Sequence, residues 1–81
     1  MAINDNLLEN LGSIIRYHRK KCGINYLELA KLAQVGKTTV FDIEHSKKTI
    51  RFNTLLKILD VLNITIELKS PLMSSYKNEN S

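Results

Sequence analysis

Residues 37–44 place several hydrogen-bonding and aromatic side chains at helical spacing. Val40 and Ile43 supply an apolar stripe, so the remaining positions of this short helix must face outward. The outward side chains are Lys37, Thr38, Phe41 and Asp42. A lysine donates to guanine O6 or N7, threonine and phenylalanine pack on the thymine methyl, and a carboxylate accepts from cytosine N4. The pattern therefore predicts a helix whose side chains contact base edges in a DNA major groove.

A second set of side chains around this helix is suited to phosphate groups. Thr39, the backbone amides at the helix start and Arg51 are predicted to contact phosphates and to set the register on the duplex. Lys47 and Lys48 are predicted to join them, in a chain whose net charge is +4. Clustered cations beside a helix of groove size are typical of a phosphate-binding face. A merely solubilising surface is the alternative that this modest charge leaves open.

Residues 37–44 form the predicted reader helix, and the helix that precedes them must hold this reader helix in place. Leu29, Ala30 and Ala33 give that helix a buried stripe. Asn25 can cap its start, and Glu28 stands three residues later, which is the spacing of a capping box. Two short helices of this size, crossing steeply over a tight turn, can lay the second helix in a major groove.

The turn between the two helices lacks the usual glycine at its first position. Gln34 stands where the first helix ends, so we expect a glutamine at positive φ there. Val35 follows as an apolar plug, and Gly36 comes one place later than expected. The pattern predicts a helix-turn-helix unit, with two core helices of an ordinary small bundle as the alternative.

Two further helices flank this unit. The first is capped by Asn4 or Asp5, carries apolar residues at helical spacing and is stopped by Gly23. The fourth covers about residues 53–62. Its expected inward residues are Phe52, Leu55, Leu56, Leu59 and Leu62. Ile58 and Val61 widen the apolar surface of this helix beyond one stripe, which predicts a second buried face.

The segment after the fourth helix changes period. Ile64, Ile66 and Leu68 alternate with polar residues, which predicts a strand with one apolar face. A single strand cannot satisfy its own backbone groups, so we expect antiparallel pairing with a second copy across a two-fold axis. The predicted dimer interface comprises Ile58, Leu62, Ile64, Ile66 and Leu68. Residues 1–69 are the predicted DNA-binding and dimerisation domain, and residues 70–81, which begin with Ser70 and Pro71, are a predicted disordered tail.

These residues together resemble the Cro/C1 (XRE-type) helix-turn-helix family. The resemblance lies in residues 14–20, 29–33, 37–44 and 54–63 and extends over about residues 7–68. Its most specific part is the spacing of Leu29-Ala30 and of Thr39-Val40 with Ile43-Glu44. The resemblance implies an all-α, lambda-repressor-like bundle of about five helices that binds operator DNA as a dimer.

The sequence departs from the family pattern at several positions. Tyr26 replaces a frequent glutamine at the start of helix 2, so its phenol hydroxyl is expected to make the phosphate contact. Gly36 removes a side-chain cap from the reader helix. Phe41 and Asp42 replace small or basic residues, which suggests either an unusual operator or weakened DNA binding.

The ending looks like that of HipB-type antitoxins, since a helix is followed directly by a short alternating strand. That resemblance implies repression of the protein's own toxin–antitoxin operon and binding of a HipA-like serine/threonine kinase toxin. Whether a third small protein shares the neutralising role is left open. The alternatives are a stand-alone phage-type repressor and a protein-interaction module that has lost DNA reading.

The sequence argues against several other classes. His18 and His45 lie in different segments with no ligands at metal spacing, and no glycine-rich phosphate loop occurs, so we expect no enzyme, metal or cofactor. No apolar run reaches the roughly 20 residues of a membrane helix. The single cysteine, Cys22, excludes an internal disulfide and fits a reducing compartment. Together with the family resemblance, this implies a cytoplasmic, nucleoid-associated bacterial protein.

Overall fold

The computed structural model describes residues 5–45 and 50–80. Its five helices are α1 (Asp5–Lys21), α2 (Tyr26–Ala33), α3 (Lys37–Glu44), α4 (Phe52–Val61) and α5 (Met73–Asn80). The described residues contain no strand. The predicted all-α bundle of about five helices is therefore confirmed.

The core lies between the first four helices. Its fully or nearly fully buried apolar residues are Ile15, Leu29, Ala30, Ala33, Val40, Ile43, Leu55, Ile58, Leu59 and Leu62. Helix α3 packs against both α1 and α2, and α2 also packs against α4. Helices of eight residues are only marginally stable alone. The two short helices of the helix-turn-helix unit, α2 and α3, therefore depend on packing against the longer helices α1 and α4.

Local sequence signals set the start of α2 as predicted. Gly23 has φ 73°, so it ends α1 in the left-handed region that favours glycine. Asn25 Oδ1 accepts from the Glu28 backbone N–H at 2.9 Å, and Glu28 Oε1 accepts from the Asn25 N–H at 2.9 Å. The predicted capping box is confirmed.

The turn after α2 also follows its prediction. Gln34 lies in the left-handed region, with φ 59° and ψ 45°. Its backbone N–H donates to the Lys31 carbonyl at 3.2 Å, and the Val35 N–H donates to the Ala30 carbonyl at 3.0 Å. These bonds satisfy carbonyls that the helix end leaves open, and Val35 is half-buried against the core. A glutamine therefore makes the turn for which glycine is usual.

Gly12 allows α1 to approach the end of α3 closely. A Cβ atom at this position would lie 2.7 Å from the Ile43 carbonyl oxygen and 2.9 Å from that of Glu44. Both atoms belong to backbone, which cannot rotate away as a side chain can. The absence of a side chain at Gly12 thus sets the distance between α1 and the last turn of α3.

The orientation of α4 differs from its predicted one. Leu55, Ile58, Leu59 and Leu62 face the core, whereas Phe52 and Leu56, which were expected inward, are exposed. Ile58 was expected to widen the outer apolar surface and is instead 0% exposed. The chain nevertheless has a second apolar face on α4, built from Phe52 and Leu56.

Residues 64–70 follow α4 without helix or ladder. The turn into this segment has Asn63 at φ 57°, and the Ile64 N–H donates to the Leu59 carbonyl at 2.9 Å. Strand pairing would require a second copy, so the predicted strand stays a prediction. The structure gives Met73–Asn80 helical backbone where a disordered tail was expected, although none of its residues is buried. The domain boundary after residue 69 also stays a prediction.

Candidate nucleic-acid interface

The outer face of α3 carries the predicted base-contacting residues. Lys37 and Thr38 are exposed, Phe41 is 42% exposed and Asp42 is partly exposed. Val40 and Ile43, on the opposite side, are buried in the core. The inward and outward faces of α3 therefore lie as the apolar spacing predicts. Whether these side chains contact DNA stays a prediction.

The start of α3 carries no side-chain cap. Gly36 occupies the N-cap position with φ −73° and ψ 147°, and it has no side chain that could accept from the first amides. The expected loss of a cap is thus confirmed. The first backbone N–H groups of a helix have no partner within the helix, and anions such as phosphate bind well to them.

Phe41 belongs to an aromatic cluster that joins α2 to α3. Its ring stacks on that of His45, with centroids 3.9 Å apart and planes at 19°. The Tyr26 ring meets Phe41 edge to face, with centroids 5.6 Å apart. One face of the Phe41 ring is therefore covered by His45, which limits the surface that Phe41 can offer to a thymine methyl. Sequence analysis considered His45 only as a candidate metal ligand or catalytic group and missed this stack.

Tyr26 connects this aromatic cluster to a buried ion pair. The guanidinium carbon of Arg19 lies 4.3 Å from the centre of the Tyr26 ring, at the distance of a cation–π contact. Tyr26 is half-buried, so its ring packs while part of the residue meets solvent. The predicted phosphate contact of its hydroxyl group would therefore have to be made with the ring held in this position.

Arg19 of α1 and Glu44 of α3 form that ion pair, and both side chains are buried. Arg19 Nε donates to Glu44 Oε2 at 2.6 Å and Nη2 donates to Oε1 at 3.1 Å. Arg19 Nη1 also donates to the Ile24 carbonyl at 2.9 Å. The hydrogen bond from Glu44 raises the pKa of Arg19 above its ordinary high value, while burial opposes the shift. Arg19 is therefore a structural cation, held away from any phosphate.

The sequence contained one signal for this pair. Glu44 stands four residues after Val40 and one after Ile43, so it falls on the inward stripe of α3. A carboxylate buried among apolar residues requires a cation partner. Sequence analysis did not identify Arg19 as that partner.

Thr39, Asp42 and Arg51 line a small cleft between α3 and α4. The cleft has a volume of about 230 Å³ and is also lined by Ile43, Ile50 and Thr54. A predicted base-contacting carboxylate and two predicted phosphate-contacting side chains are thus brought together at one edge of the reader helix. Lys47 and Lys48, the other predicted phosphate contacts, lie outside the described residues.

The predicted dimer residues divide into two groups. Ile58 is 0% and Leu62 is 6% exposed, because both pack in the core of the single chain. The expectation that these two form an intersubunit surface is therefore corrected. Ile64, Ile66 and Leu68 do line an apolar groove of about 730 Å³, together with Phe52 and Leu56. Their role in a dimer stays a prediction.

Two other properties can be stated for the described residues. No group of three or more histidine, cysteine, aspartate or glutamate side chains there is placed to hold a metal ion. No helix there combines the length and the apolar character needed to cross a bilayer.

A capped α2, a tight turn and an α3 with one buried and one exposed face define a helix-turn-helix protein. Residues 15–69, more than half of the chain, match the family described as helix-turn-helix. The chain is also similar to an uncharacterized HTH-type transcriptional regulator, y4mF, of Sinorhizobium fredii (strain NBRC 101917 / NGR234). The two are 31% identical over 62 residues, which cover 76% of this chain and 82% of the relative.

The chain belongs to the helix-turn-helix family of DNA-binding transcriptional regulators, of the Cro/C1 type. The predicted class is therefore confirmed, and it points to a regulator rather than an enzyme. The HipB-type subfamily, the kinase partner and the homodimer stay predictions.

Proposed function

We propose that this protein is a dimeric, sequence-specific DNA-binding antitoxin that represses its own operon and neutralises a HipA-like serine/threonine kinase. The observation that carries the DNA-binding part is the two-faced burial of α3. Its inward side is locked by α1 and α2, and its outward side leaves Lys37 and Thr38 free to meet base edges. A rigid helix with exposed donors at its N-terminal end is suited to a major groove.

The contacts on DNA divide by chemistry. Lys37, Thr38 and Asp42 read base edges, and the exposed edge of Phe41 adds an apolar contact. Tyr26, Thr39 and Arg51 bind phosphates beside the uncapped amides at the start of α3. Asp42 lies in the same cleft as Arg51, so the nearby cation offsets its repulsion of phosphate.

The dimer brings two copies of α3 to successive major grooves about 34 Å apart. The interface is the apolar groove formed by Phe52, Leu56, Ile66 and their neighbours. Residues 64–68 pair antiparallel with the same residues of the second copy, which satisfies backbone groups that form no ladder within one chain.

The antitoxin role rests on the ending of the domain. An alternating segment follows α4 directly, as in HipB-type antitoxins, and the exposed α5 comes after it. The kinase binds away from the reader helices, so that DNA and toxin are held together in the bacterial cytoplasm. The y4mF relative supports only the regulator part of this proposal.

Two experiments test the proposal. Selection from a random-sequence duplex library should yield a palindromic operator, and co-expression with the product of the adjacent gene should recover a complex that still binds this operator. An operator without a co-purifying kinase would indicate a stand-alone repressor. Binding that shows no steep decrease with salt would instead indicate an interaction module, which Asp42 and the uncapped Gly36 favour.

A further inference from the structure

His45 stands at the C-terminal end of α3 in a fixed orientation. It is exposed, its ring stacks on Phe41, and its Nδ1 lies 2.8 Å from the Phe41 carbonyl oxygen. The Tyr26 ring supports Phe41 from the side of α2. An exposed side chain normally rotates among several rotamers, whereas two contacts at once restrict this imidazole to one orientation.

The hydrogen bond to Phe41 determines which nitrogen of His45 carries a proton. A carbonyl oxygen can only accept, so Nδ1 must be the donor. In the neutral ring Nε2 then has a lone pair and can only accept. Phosphate oxygens of DNA are acceptors too, so neutral His45 makes no hydrogen bond with them. The protonated ring has N–H groups at both nitrogens and a positive charge, and it can donate from Nε2.

The position of His45 favours a phosphate over a base. It lies seven residues after Thr38 and four after Phe41, and hence on the outward face of α3. The N-terminal end of a reader helix meets base edges, so a side chain one or two turns further on reaches toward the flanking backbone. His45 thus extends the DNA-facing surface at its phosphate side.

Among the described residues, the ionisable groups that adjoin His45 or its aromatic cluster come from three helices. Helix α2 contributes Tyr26, α3 contributes Asp42 and Glu44, and α1 contributes Arg19. Arg19 and Glu44 neutralise each other in a buried pair. Asp42 lies one turn before His45 and faces the cleft shared with Arg51.

We infer that protonated His45 contacts a DNA phosphate, so that the affinity for DNA increases as pH decreases through the range in which histidines titrate. The inference rests on the proposed DNA binding. Histidine is the side chain whose charge ordinarily changes between pH 5 and 8. Because the complex stabilises the protonated ring, the added affinity is present at the acidic end of this range and is lost at its alkaline end.

The chain offers a matched control, since it has two histidines. His18 on α1 makes the same type of bond, with Nδ1 2.7 Å from the Ile14 carbonyl four residues before it. His18→Gln and His45→Gln therefore remove an imidazole with the same local hydrogen bond at two different places. Circular dichroism melts at each pH would establish that both variants remain folded.

The probe is a fluorescent random-sequence duplex of about 30 base pairs, long enough for two half-sites one helical turn apart. Its affinity is measured by anisotropy over a salt series at about pH 5.5 and about pH 8. We expect the wild type and His18→Gln to bind about three- to tenfold tighter at the lower pH. Their slopes of log affinity against log salt should also be steeper there by about 0.9 per contacting histidine. His45→Gln should lose both differences.

The outcomes separate the inference from the proposed function. If His45→Gln keeps the pH difference and the change in salt slope, or if the wild type shows neither, His45 makes no phosphate contact. DNA binding by the wild type at both pH values would still stand in that case. If the wild type binds no duplex at either pH and low salt, the proposed DNA binding itself fails.

Discussion

Arg19 and Glu44 lie 25 residues apart in the sequence and form a two-pronged, buried ion pair between α1 and the last turn of α3. The third arm of the guanidinium holds the Ile24 carbonyl, just before α2. One side chain thus connects α1, the entry to α2 and the end of the reader helix. The direction in which α3 presents its outer face depends on this connection.

Breaking this pair from one side should be costly. Glu44→Leu leaves the guanidinium buried without its partner, and Arg19→Met leaves the carboxylate buried without its partner. We expect each change to lower the free energy of unfolding by about 3–5 kcal/mol. The double variant Arg19→Met with Glu44→Leu should lose much less than the sum, because no unpaired charge remains. Urea denaturation followed by circular dichroism measures all three.

The pH dependence of that loss follows from the sign of the shift. The hydrogen bond from Glu44 raises the pKa of Arg19 in the folded state, so the charged guanidinium stabilises the fold at every pH below its unfolded pKa. This contribution is lost only in strongly alkaline solution, as the pH rises through the folded pKa. The double variant keeps neither buried charge, so the stability difference between it and the wild type should be equal at about pH 6 and about pH 9. A difference that shrinks markedly between these values would contradict this account of Arg19.

Gly12→Ala tests the close approach of α1 to α3. Alanine is the better helix former, yet its Cβ would meet two backbone carbonyl oxygens at 2.7 and 2.9 Å. We expect a net loss of about 1–3 kcal/mol in the free energy of unfolding, typical of overpacking. Thermal melts should show a lower Tm than that of the wild type.

Gly36→Ser is the matched control for this change. A Cβ at Gly36 would have its nearest neighbour at 3.5 Å, an ordinary contact, and its backbone is extended. Serine can also cap α3, so stability should rise by roughly a few tenths of a kcal/mol. A Gly12→Ala protein as stable as the wild type would mean that α1 and α3 can move apart freely.

Features that form between neighbouring residues were predicted from the sequence, whereas an interaction between distant residues was not. The capping box of Asn25 and Glu28 and the turn at Gln34 depend on neighbours within five residues, and both were predicted from local spacing. The pair of Arg19 and Glu44 depends on how distant segments pack, and no local rule contains that information.

Helix α4 shows a different limit of sequence reasoning. Apolar residues occupy Phe52, Leu55, Leu56, Ile58, Leu59, Val61 and Leu62, so they surround most of the helix. Periodicity cannot tell the core side from the outer side of such a helix. In the structure α4 packs against α2 with Ile58 buried and Leu56 exposed, which is the opposite of our expectation. The existence of a second apolar face followed from the sequence, but its residues did not.

Lys37→Ala and Arg51→Ala should affect DNA binding in different ways. Lys37 is exposed at the start of α3, and its loss should lower affinity for the selected operator by about 1–3 kcal/mol and relax base preference at one position. Arg51→Ala should weaken operator and scrambled duplex alike and reduce the salt slope by about one. Anisotropy titrations on both duplexes over a salt series measure these effects.

Lys77→Ala on α5 removes the same charge outside the helix-turn-helix unit and controls for net charge. It should leave base preference and affinity close to the wild type. If Lys37→Ala and Arg51→Ala weakened both duplexes equally and changed the salt slope alike, the division into base and phosphate contacts would be wrong.

Leu56→Asp tests whether the apolar groove is the dimer interface. Leu56 is 41% exposed and lines the groove with Phe52 and Ile66, so in a dimer it would be covered by the second copy. A buried, unpaired carboxylate is strongly unfavourable, and we expect Leu56→Asp to sediment as a monomer at micromolar concentrations where the wild type is a dimer. Leu32→Asp makes the same change at a leucine of α2 that is 61% exposed and lies outside the groove, and it should remain a dimer.

Ile66→Pro examines the backbone of the same interface. Proline removes the N–H that an antiparallel partner would use, while residues 64–70 form no ladder within one chain that the change could disrupt. The variant should therefore keep its helical circular dichroism and lose the dimer. If both Leu56→Asp and Ile66→Pro sediment as dimers, the second copy binds elsewhere, and the two reader helices are not related by pairing of residues 64–68. A monomeric wild type would exclude the dimer altogether, and each reader helix would then bind DNA through a single half-site with correspondingly low affinity.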